Sequence, residues 1–338
     1  MEETAKIPII VTGPTGCGKT EISLFLAREL GAHIVNIDSV QLYRDCDIGS
    51  ARVRSEEAGE VPHHLLGIYD PGPRNNVHDY LVRTHQVLEQ LRTSNTPVIF
   101  VGGSTLYIKL LLQGLVPGDS PNEVRRKTLE AADIEYLRKE ASQYLASEEL
   151  SRFLNDRIRL VRIIEKGEQK LDDDDLGIPG LSHALVLVLT WPREELYQRI
   201  NLRTQRMLEA GLVGETKNLI ENYGKDATPL DSIGYSQVCK CLAGELDEGN
   251  LAEEIAKATR NYAKRQMNFW RNEPNKCGWQ LMHDSSSILE KRKAPLGRQT
   301  QIDIAGDELD RHELLALVQS RSGRGVEVQY LNPKRLVV

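Results

Sequence analysis

The stretch that decides the fold is residues 7–30, which reads Ile7-Pro-Ile-Ile-Val-Thr12, Gly13-Pro-Thr-Gly-Cys-Gly-Lys-Thr20 and then Glu21 to Leu30. The first part is a short β-rich run, and the last part carries apolar residues at helical spacing before Gly31. The segment between them matches G-x-x-x-x-G-K-[ST], in which backbone N–H groups surround phosphate oxygens. We therefore predict a phosphate-binding loop made of Gly13, Pro14, Thr15, Gly16, Cys17, Gly18, Lys19 and Thr20.

Strand and helix patterns alternate beyond this loop. His33 to Ile37 and Pro97 to Val101 are strand candidates, and Val77 to Leu91 has helical spacing. Near-continuous apolar strands between helices are typical of a parallel sheet covered on both faces. Ala184 to Leu189 has the pattern of one more buried strand, so we expect residues far along the chain to complete the sheet. The predicted fold class is α/β, with a P-loop core, a parallel sheet, an inserted helical subdomain and a C-terminal helical region.

The chain divides into four segments by composition. Residues 1–114 are predicted to form the first part of the core, and the charged, proline-broken residues 115–182 to form a helical insertion. Residues 183–282 are predicted to complete the core and add C-terminal helices. Residues 283–338 are predicted to form a polar tail that regains a helical pattern only around Glu308 to Val318.

Composition limits the class of protein. The chain has 338 residues, is 40% hydrophobic and carries a formal net charge of −6, which excludes a disordered tail. It has no apolar run of roughly 18 residues, so we expect no membrane span. Its five cysteines include no Cys-x-x-Cys pair, which indicates reduced thiols and a cytoplasmic protein. Because the net charge is negative, any nucleic-acid surface has to be a local basic patch.

A single acid accompanies the phosphate loop. Asp38 follows the second predicted strand, at the carboxyl end of the sheet where open α/β folds bind ligands. The strand Pro97 to Val101 ends in Gly102-Gly103-Ser104, without the second acid that an NTPase would place there on Mg²⁺. This arrangement suits a transferase with diphosphate as its leaving group at least as well as it suits an NTPase.

Several short segments follow one another in order over most of residues 7–282. Besides the phosphate loop they are Asp38-Ser-Val-Gln-Leu-Tyr-Arg44, Asp47-Ile-Gly49, Val61-Pro-His-His-Leu-Leu66, Val101-Gly-Gly-Ser-Thr-Leu-Tyr-Ile108, Asn155-Asp156 with Arg159 and Arg162, Ile233-Gly-Tyr235, and Thr259-Arg-Asn-Tyr-Ala-Lys-Arg-Gln266 with Trp270-Arg271. Together they resemble the tRNA dimethylallyltransferase (tRNA isopentenyltransferase) family. Ser104 stands where that family usually has threonine, and Asp231 and Ser236 stand where arginine is frequent.

The resemblance implies transfer of a dimethylallyl group from dimethylallyl diphosphate to N6 of the adenosine 3′ of the tRNA anticodon. It implies that Asp38, Ser104 and Lys19 are catalytic, that the loop holds the diphosphate, and that Thr20 binds Mg²⁺, the expected cofactor. The expected partner is the anticodon loop of a tRNA, bound by a monomer whose helical insertion lies on the tRNA side. With the basic residues that recur at helical spacing, the implied tRNA-binding set is Asp38, Ser39, Val40, Gln41, Arg125, Arg159, Arg162, Tyr235, Lys264 and Arg265.

Three alternatives remain open from the sequence. Gly102-Gly103-Ser104 also resembles adenylate isopentenyltransferases, which prenylate a free nucleotide, although such an enzyme has less use for a helical insertion and a basic helix over residues 251–272. A small-molecule kinase would use the same loop and acid but would consume ATP. A non-catalytic relative would bind tRNA and tolerate the loss of Asp38.

Overall fold

The main unit is built around a parallel β-sheet. A computed structural model describes residues 7–72, 77–115, 123–168, 178–277, 280–281, 310–319 and 326–331. The strands in these ranges are β1 (Ile9–Thr12), β2 (His33–Asn36), β3 (His63–His64), β4 (Val98–Val101), β5 (Gly114–Leu115), β6 (Ile178–Pro179), β7 (Ala184–Leu189), β8 (Gln280–Leu281) and β9 (Val326–Leu331). Seven of them form one all-parallel sheet in the order β3-β2-β4-β1-β7-β9-β8, which confirms the predicted α/β fold.

The helices of the described ranges fall before, within and after the insertion. Those before and within the insertion are α1 (Lys19–Leu30), α2 (Ser55–Ala58), α3 (Val77–Thr93), α4 (Thr105–Gln113), α5 (Glu123–Ala131), α6 (Ile134–Ala141), α7 (Ser147–Leu150) and α8 (Arg157–Glu168). Those after it are α9 (Arg193–Glu209), α10 (Leu212–Tyr223), α11 (Tyr235–Leu242), α12 (Leu251–Cys277) and α13 (Arg311–Gln319). None of the described helices is both long and apolar enough to cross a bilayer.

The central strands place the site. Every residue of β1 and β7 is buried, which explains their near-continuous apolar sequences, because both faces of a central parallel strand are covered. Leu26 of α1, Ile200 of α9 and Leu314 of α13 belong to the same core cluster as these strands. Since the strands are parallel, the segments that follow β1, β2, β4 and β7 meet at one edge of the sheet.

The insertion is a compact unit of its own, residues 113–180. The predicted insertion, residues 115–182, is displaced from it by two residues at each end. Leu129, Leu137, Leu160 and Ile164 form its buried core. Within this core Glu165 is buried and accepts two hydrogen bonds from Arg126, at 2.9 and 2.7 Å, so the buried carboxylate is paired.

The prediction of a polar tail is wrong for the described part of residues 283–338. The strand β9 pairs with β7 along all six of its residues, and α13 contributes Leu314 and Val318 to the main core. The sequence of β9, Val-Glu-Val-Gln-Tyr-Leu, alternates apolar and polar residues as a strand does. Its partner β7 lies far away along the chain, so the pairing has no local signature. The remaining residues of 283–338 lie outside the described ranges.

Candidate active site

The phosphate loop connects β1 to α1, which begins at Lys19. Gly13, Gly16 and Gly18 have φ angles of 136°, 83° and 90°, in the region that favours glycine. A Cβ atom on Gly13 would lie 2.5 Å from the carbonyl oxygen of Leu189, at the end of β7, so no larger residue fits there. The loop thus leads directly into the N-terminus of α1, where unpaired N–H groups and the helix dipole favour the binding of an anion.

A cavity of about 380 Å³ opens beside the loop. The loop contributes Thr15, Gly16, Gly18, Lys19 and Thr20 to its wall, and the rest of the wall is Asp38, Gln41, Ser50, Ala51, Gly103, Arg199, Leu202, Arg203, Arg206, Tyr262 and Gln266. A second cavity of about 310 Å³ shares Thr15, Asp38, Ser50, Arg203 and Tyr262 with the first. Its wall adds Ser39, Val40 and Ser104, further polar residues such as Asp231 and Arg265, and apolar side chains such as Ile200 and Met207. A phosphate cradle and a carboxylate therefore face a shared space.

Three predicted loop residues are not on the cavity wall. Gly13, Pro14 and Cys17 are buried, and the Cys17 side chain belongs to the main core, where burial raises the pKa of its thiol. Their contribution to a phosphate site is therefore limited to the backbone. The Lys19 ammonium lies over the loop and donates to the carbonyl oxygens of Pro14 and Gly13, at 3.0 and 3.3 Å.

Asp38 is held by the backbone that follows it. Its Oδ1 accepts hydrogen bonds from the N–H groups of Val40 and Gln41, at 2.9 and 3.3 Å, and its own N–H donates to the side chain of Asn36. Ser104, which follows β4, accepts a hydrogen bond at its Oγ from the Ser39 N–H, at 3.1 Å. The ends of β2 and β4 thus bring the predicted base and the predicted hydroxyl into one wall of the second cavity.

Three arginines on α9 belong to the site and were missed by the sequence interpretation. Arg199 donates its Nε–H to the Gly16 carbonyl at 2.9 Å, and Arg203 donates to the Thr15 hydroxyl at 2.9 Å. Burial lowers the pKa of the Arg203 guanidinium, and the Asp38 carboxylate opposes that shift. The positions 199, 203 and 206 are spaced by four and three residues, which places them on one helix face. That spacing was the available signal, but a solvated basic stripe has the same pattern.

Two residues of α12 also join the loops, and both lie in the segment Thr259 to Gln266 that carries part of the family resemblance. Gln266 is buried; its Oε1 accepts from the Thr15 N–H at 2.9 Å and its Nε2 donates to the Gly103 carbonyl at 2.8 Å. Tyr262 donates its hydroxyl to the same carbonyl at 3.4 Å, and burial together with the Asp38 charge raises the pKa of Tyr262 to about 12. Gln266 therefore ties the phosphate loop to the segment that carries Ser104.

Tyr235 is a structural residue, and its placement among the tRNA contacts is wrong. It is fully buried, and its hydroxyl donates to Glu215 Oε1 at 2.6 Å. Glu215 also accepts the backbone N–H groups of Asp47, Ile48 and Gly49, at 3.0, 2.7 and 2.9 Å. A Cβ on Gly49 would overlap the Tyr235 ring, so the glycine allows this contact. Tyr235 and Glu215 together fix the loop after Asp38, which has Ser50 and Ala51 on the cavity wall.

We expect Glu215→Gln to lower the free energy of unfolding by about 2–4 kcal/mol, because the amide NH₂ would face backbone donors that the carboxylate now satisfies. Urea unfolding measures the effect, with Glu221→Gln, at an exposed position of the same helix, as the matched control. Equal stability of the two variants would contradict this anchoring role.

Tyr235→Phe should leave tRNA affinity within about twofold of the unsubstituted chain, since its ring stays buried.

The predicted tRNA residues of the insertion are placed within that unit. Arg159 is exposed; it lies 3.5 Å from the Asp156 carboxylate, and its guanidinium lies over the Phe153 ring. Arg162 lies 3.6 Å from buried Glu165, and Arg125 is half-buried. Of the three, Arg159 has the most exposed guanidinium for contact with a phosphate.

Four of the basic residues of α12 differ in their partners. Lys257 bonds to Glu254 and Arg260 bonds to Glu253, so these two cations already have acidic partners. Lys264 and Arg265 are both exposed. Arg265 lies over the Tyr262 ring, 5.5 Å from its centroid, and lines the second cavity. Of this exposed pair, Arg265 adjoins the site, and Lys264 is its neighbour in the sequence.

Known proteins are similar to this chain over most of its length. The family model described as IPP transferase matches residues 41–273. A tRNA dimethylallyltransferase of Koribacter versatilis is 37% identical over 290 residues, 83% of this chain and 94% of the relative. One from Thermotoga petrophila is 34% identical over 294 residues, 84% of this chain and 96% of the relative.

Solved structures share the fold. The full-length tRNA isopentenylpyrophosphate transferase of Bacillus halodurans is 27% identical and covers 80% of this chain and 88% of its own, with a TM-score of 0.57. A eukaryotic dimethylallyltransferase acting on tRNA is 24% identical and covers 80% of this chain and 72% of its own, with a TM-score of 0.67, and supports the fold alone. The matched segments span most of the chain, and on this ground the protein belongs to the IPP transferase family, in which its curated relatives are tRNA dimethylallyltransferases.

Proposed function

We propose that the chain transfers a dimethylallyl group from dimethylallyl diphosphate to N6 of the adenosine 3′ of the anticodon in a tRNA. The observation that carries the proposal is that the phosphate loop and the Asp38 carboxylate line one cavity. The chain's membership of the IPP transferase family supports the choice of donor and acceptor. In this reaction diphosphate is the leaving group, and the exocyclic amine of adenine is the nucleophile.

The diphosphate end of the donor is proposed to bind at the loop. Backbone N–H groups at the start of α1 point their partial positive charge at the phosphates, and Lys19, Arg199 and Arg203 add full charges around the same cavity. Negative charge develops on the departing diphosphate as the carbon–oxygen bond breaks. Cations held in place before the reaction stabilise that charge without reorganising.

The prenyl end is proposed to enter the second cavity. Ile200, Met207 and Ile255 give this space apolar walls next to Asp38 and Ser104. An apolar wall around the allylic carbon keeps water from competing with the amine as nucleophile. Polar groups such as Asp38, Ser39 and Ser104 also line the same cavity, so it can hold the edge of a base.

Asp38 is proposed to accept the proton of the attacking amine. Its Oδ1 is already engaged by two backbone N–H groups, which fixes the direction of the carboxylate. Ser104 adds a hydroxyl to the same wall for the diphosphate or the adenosine. The target base has to leave its stack to reach this wall, which costs a few kcal/mol and least in a single-stranded loop.

Mg²⁺ is proposed to bind at Thr20. The Thr20 side chain is exposed and lines the cavity together with the Asp38 carboxylate, and hydroxyl, carboxylate and phosphate oxygens are ligands that suit this ion. Bound there, the ion would neutralise charge on the leaving diphosphate. Within the described ranges no cluster of three or more His, Cys, Asp or Glu residues offers an alternative metal site, so the phosphates would supply much of the coordination.

A transfer assay tests the proposed function. Purified protein, Mg²⁺ and labelled dimethylallyl diphosphate are offered unmodified tRNA in one reaction and AMP or ATP in another. Label in the tRNA alone supports the proposal, whereas label in the free nucleotide would identify an adenylate isopentenyltransferase. Consumption of ATP with no prenyl transfer would instead identify a kinase.

The exposed pair on α12 provides a prediction about RNA contact. We expect the double variant Lys264→Ala with Arg265→Ala to bind tRNA more weakly. The plot of log affinity against log salt concentration should also become less steep by about 1.4, because each contact to a single-strand phosphate contributes about 0.7 to the magnitude of its slope. Binding titrations at several salt concentrations measure the slope. Lys217→Ala with Lys225→Ala, which removes the same charge from exposed positions, is the control. Equal slopes in the two double variants would contradict a role of Lys264 and Arg265 in RNA contact.

A further inference from the structure

Trp191 touches the phosphate loop although it lies outside every motif quoted above. It stands between the end of β7 and the start of α9. Its indole N–H donates to the Cys17 carbonyl at 3.0 Å, and its ring packs against the main core. An indole N–H that packs against a core needs a hydrogen-bond partner, and here that partner is a backbone carbonyl of the phosphate loop, so the packing of Trp191 is coupled to the conformation of the loop.

The hydrogen bond orients one peptide group of the loop. A trans peptide is planar, with its C=O and N–H pointing in opposite directions. Fixing the Cys17 carbonyl on the side of Trp191 therefore directs the Gly18 N–H to the other side. Gly18 lines the cavity and has a φ of 90°, a conformation from which this flexible residue could otherwise rotate. Trp191 thus supplies a constraint that glycine itself lacks.

Trp191 also supports a cation of the site. The Arg199 guanidinium lies over the indole ring, 4.6 Å from its centroid, while its Nε–H donates to the Gly16 carbonyl at 2.9 Å. Cation–π contact with tryptophan is the most favourable of its kind. The two side chains therefore hold two successive carbonyls of the loop, Gly16 and Cys17, and each limits the movement of the other.

The segment that carries Trp191 is fixed in turn by the C-terminal strand. The N–H and the hydroxyl of Thr190 both donate to the Leu331 carbonyl, at 2.6 and 3.2 Å. Leu331 is the last residue of β9 and is fully buried. Leu331 lies beyond residue 273, where the match to the family model ends. It is connected to the phosphate loop by its hydrogen bonds with Thr190 and by the hydrogen bond of the adjacent Trp191 to Cys17.

We propose that Trp191 is a positioning residue that holds the Gly18 N–H and the Arg199 guanidinium toward the diphosphate. The inference rests on the proposed function only in naming diphosphate as the ligand. It predicts that the indole N–H contributes to diphosphate affinity, with a smaller effect on turnover once donor is bound. It also predicts that Trp191 and Arg199 act as one unit.

Calorimetric titration with inorganic pyrophosphate tests the proposal without relying on prenyl transfer. We expect Trp191→Phe, which keeps a ring and removes the N–H, to raise the Kd about tenfold, and to raise the KM for dimethylallyl diphosphate more than it lowers kcat. Tyr197→Phe is the matched control, since it removes a polar atom bonded to Arg193 on the same helix. In a double-mutant cycle with Arg199→Met, the two effects should be less than additive.

The possible results separate this inference from the proposed function. A folded Trp191→Phe variant that binds pyrophosphate as tightly as Tyr197→Phe would overturn the positioning role, even if transfer to tRNA is observed. The positioning role is also overturned if the unsubstituted chain does not bind pyrophosphate. Weaker binding in Trp191→Phe supports the role even if no transfer to tRNA occurs. If Trp191→Phe does not fold, Thr190→Val takes its place, with an expected rise in Kd of about threefold, and an unchanged Kd overturns the proposal.

Discussion

Replacing Asp38 with asparagine should lower kcat for prenyl transfer to tRNA by about 10²–10⁴-fold, the range that a positioned general base contributes. Asparagine separates chemistry from structure at this position. Its Oδ1 can still accept the N–H groups of Val40 and Gln41, so the turn after β2 is retained while the negative charge is lost. We therefore expect tRNA affinity to change less than about threefold. Single-turnover transfer and equilibrium tRNA binding measure the two effects.

Asp47→Asn is the control for the Asp38 variant. Asp47 lies on the same loop, is exposed, and pairs with Arg52 at 2.6 Å. It should retain kcat within about twofold. If Asp38→Asn is also within tenfold of the unsubstituted chain, another group accepts the proton and the assigned base is wrong. If Asp38→Asn instead loses tRNA affinity and keeps kcat, the carboxylate serves recognition.

The parts of the fold that could be predicted are those with a local signature. The phosphate loop needs glycines at positions of positive φ and a lysine at the start of a helix, and both requirements are visible over eight residues. Central strands such as β7 are visible because burial on both faces demands continuous apolar residues. Asp38 was recognisable from its place after a strand, since parallel strands deliver their ends to one edge.

The parts that were missed depend on partners distant in sequence. Arg199 and Arg203 have the helical spacing of a solvated stripe, and only their hydrogen bonds to Gly16 and Thr15 distinguish them. Tyr235 follows a glycine in a motif that suggested contact with substrate, but its ring packs on Gly49 and its hydroxyl meets Glu215. The strand β9 pairs with β7 across the whole C-terminal half of the chain. In each case the deciding contact crosses between elements, where periodicity carries no information.

Lys19 is expected to carry the second large effect. We expect Lys19→Ala to lower kcat/KM for dimethylallyl diphosphate by about 10²–10³, as removal of one charged group from a preorganised anion site does. The ammonium now donates to the Pro14 and Gly13 carbonyls, and among the described residues it has no acidic hydrogen-bond partner. A diphosphate would draw it from these neutral carbonyls, because a bond between opposite charges is the stronger one.

The matched control for Lys19 is Lys217→Ala, which removes an exposed ammonium from α10. It should leave kcat/KM within about twofold, because a surface charge is screened by solvent and salt. Steady-state kinetics with varied donor and saturating tRNA separate the two variants, and pyrophosphate titration shows whether the loss is one of binding. A Lys19→Ala enzyme with normal KM and kcat would mean that backbone N–H groups and the α9 arginines bind diphosphate by themselves. If Lys19→Ala instead lowers both the affinity for pyrophosphate and kcat/KM, the Lys19 charge already stabilises the bound diphosphate before the reaction begins.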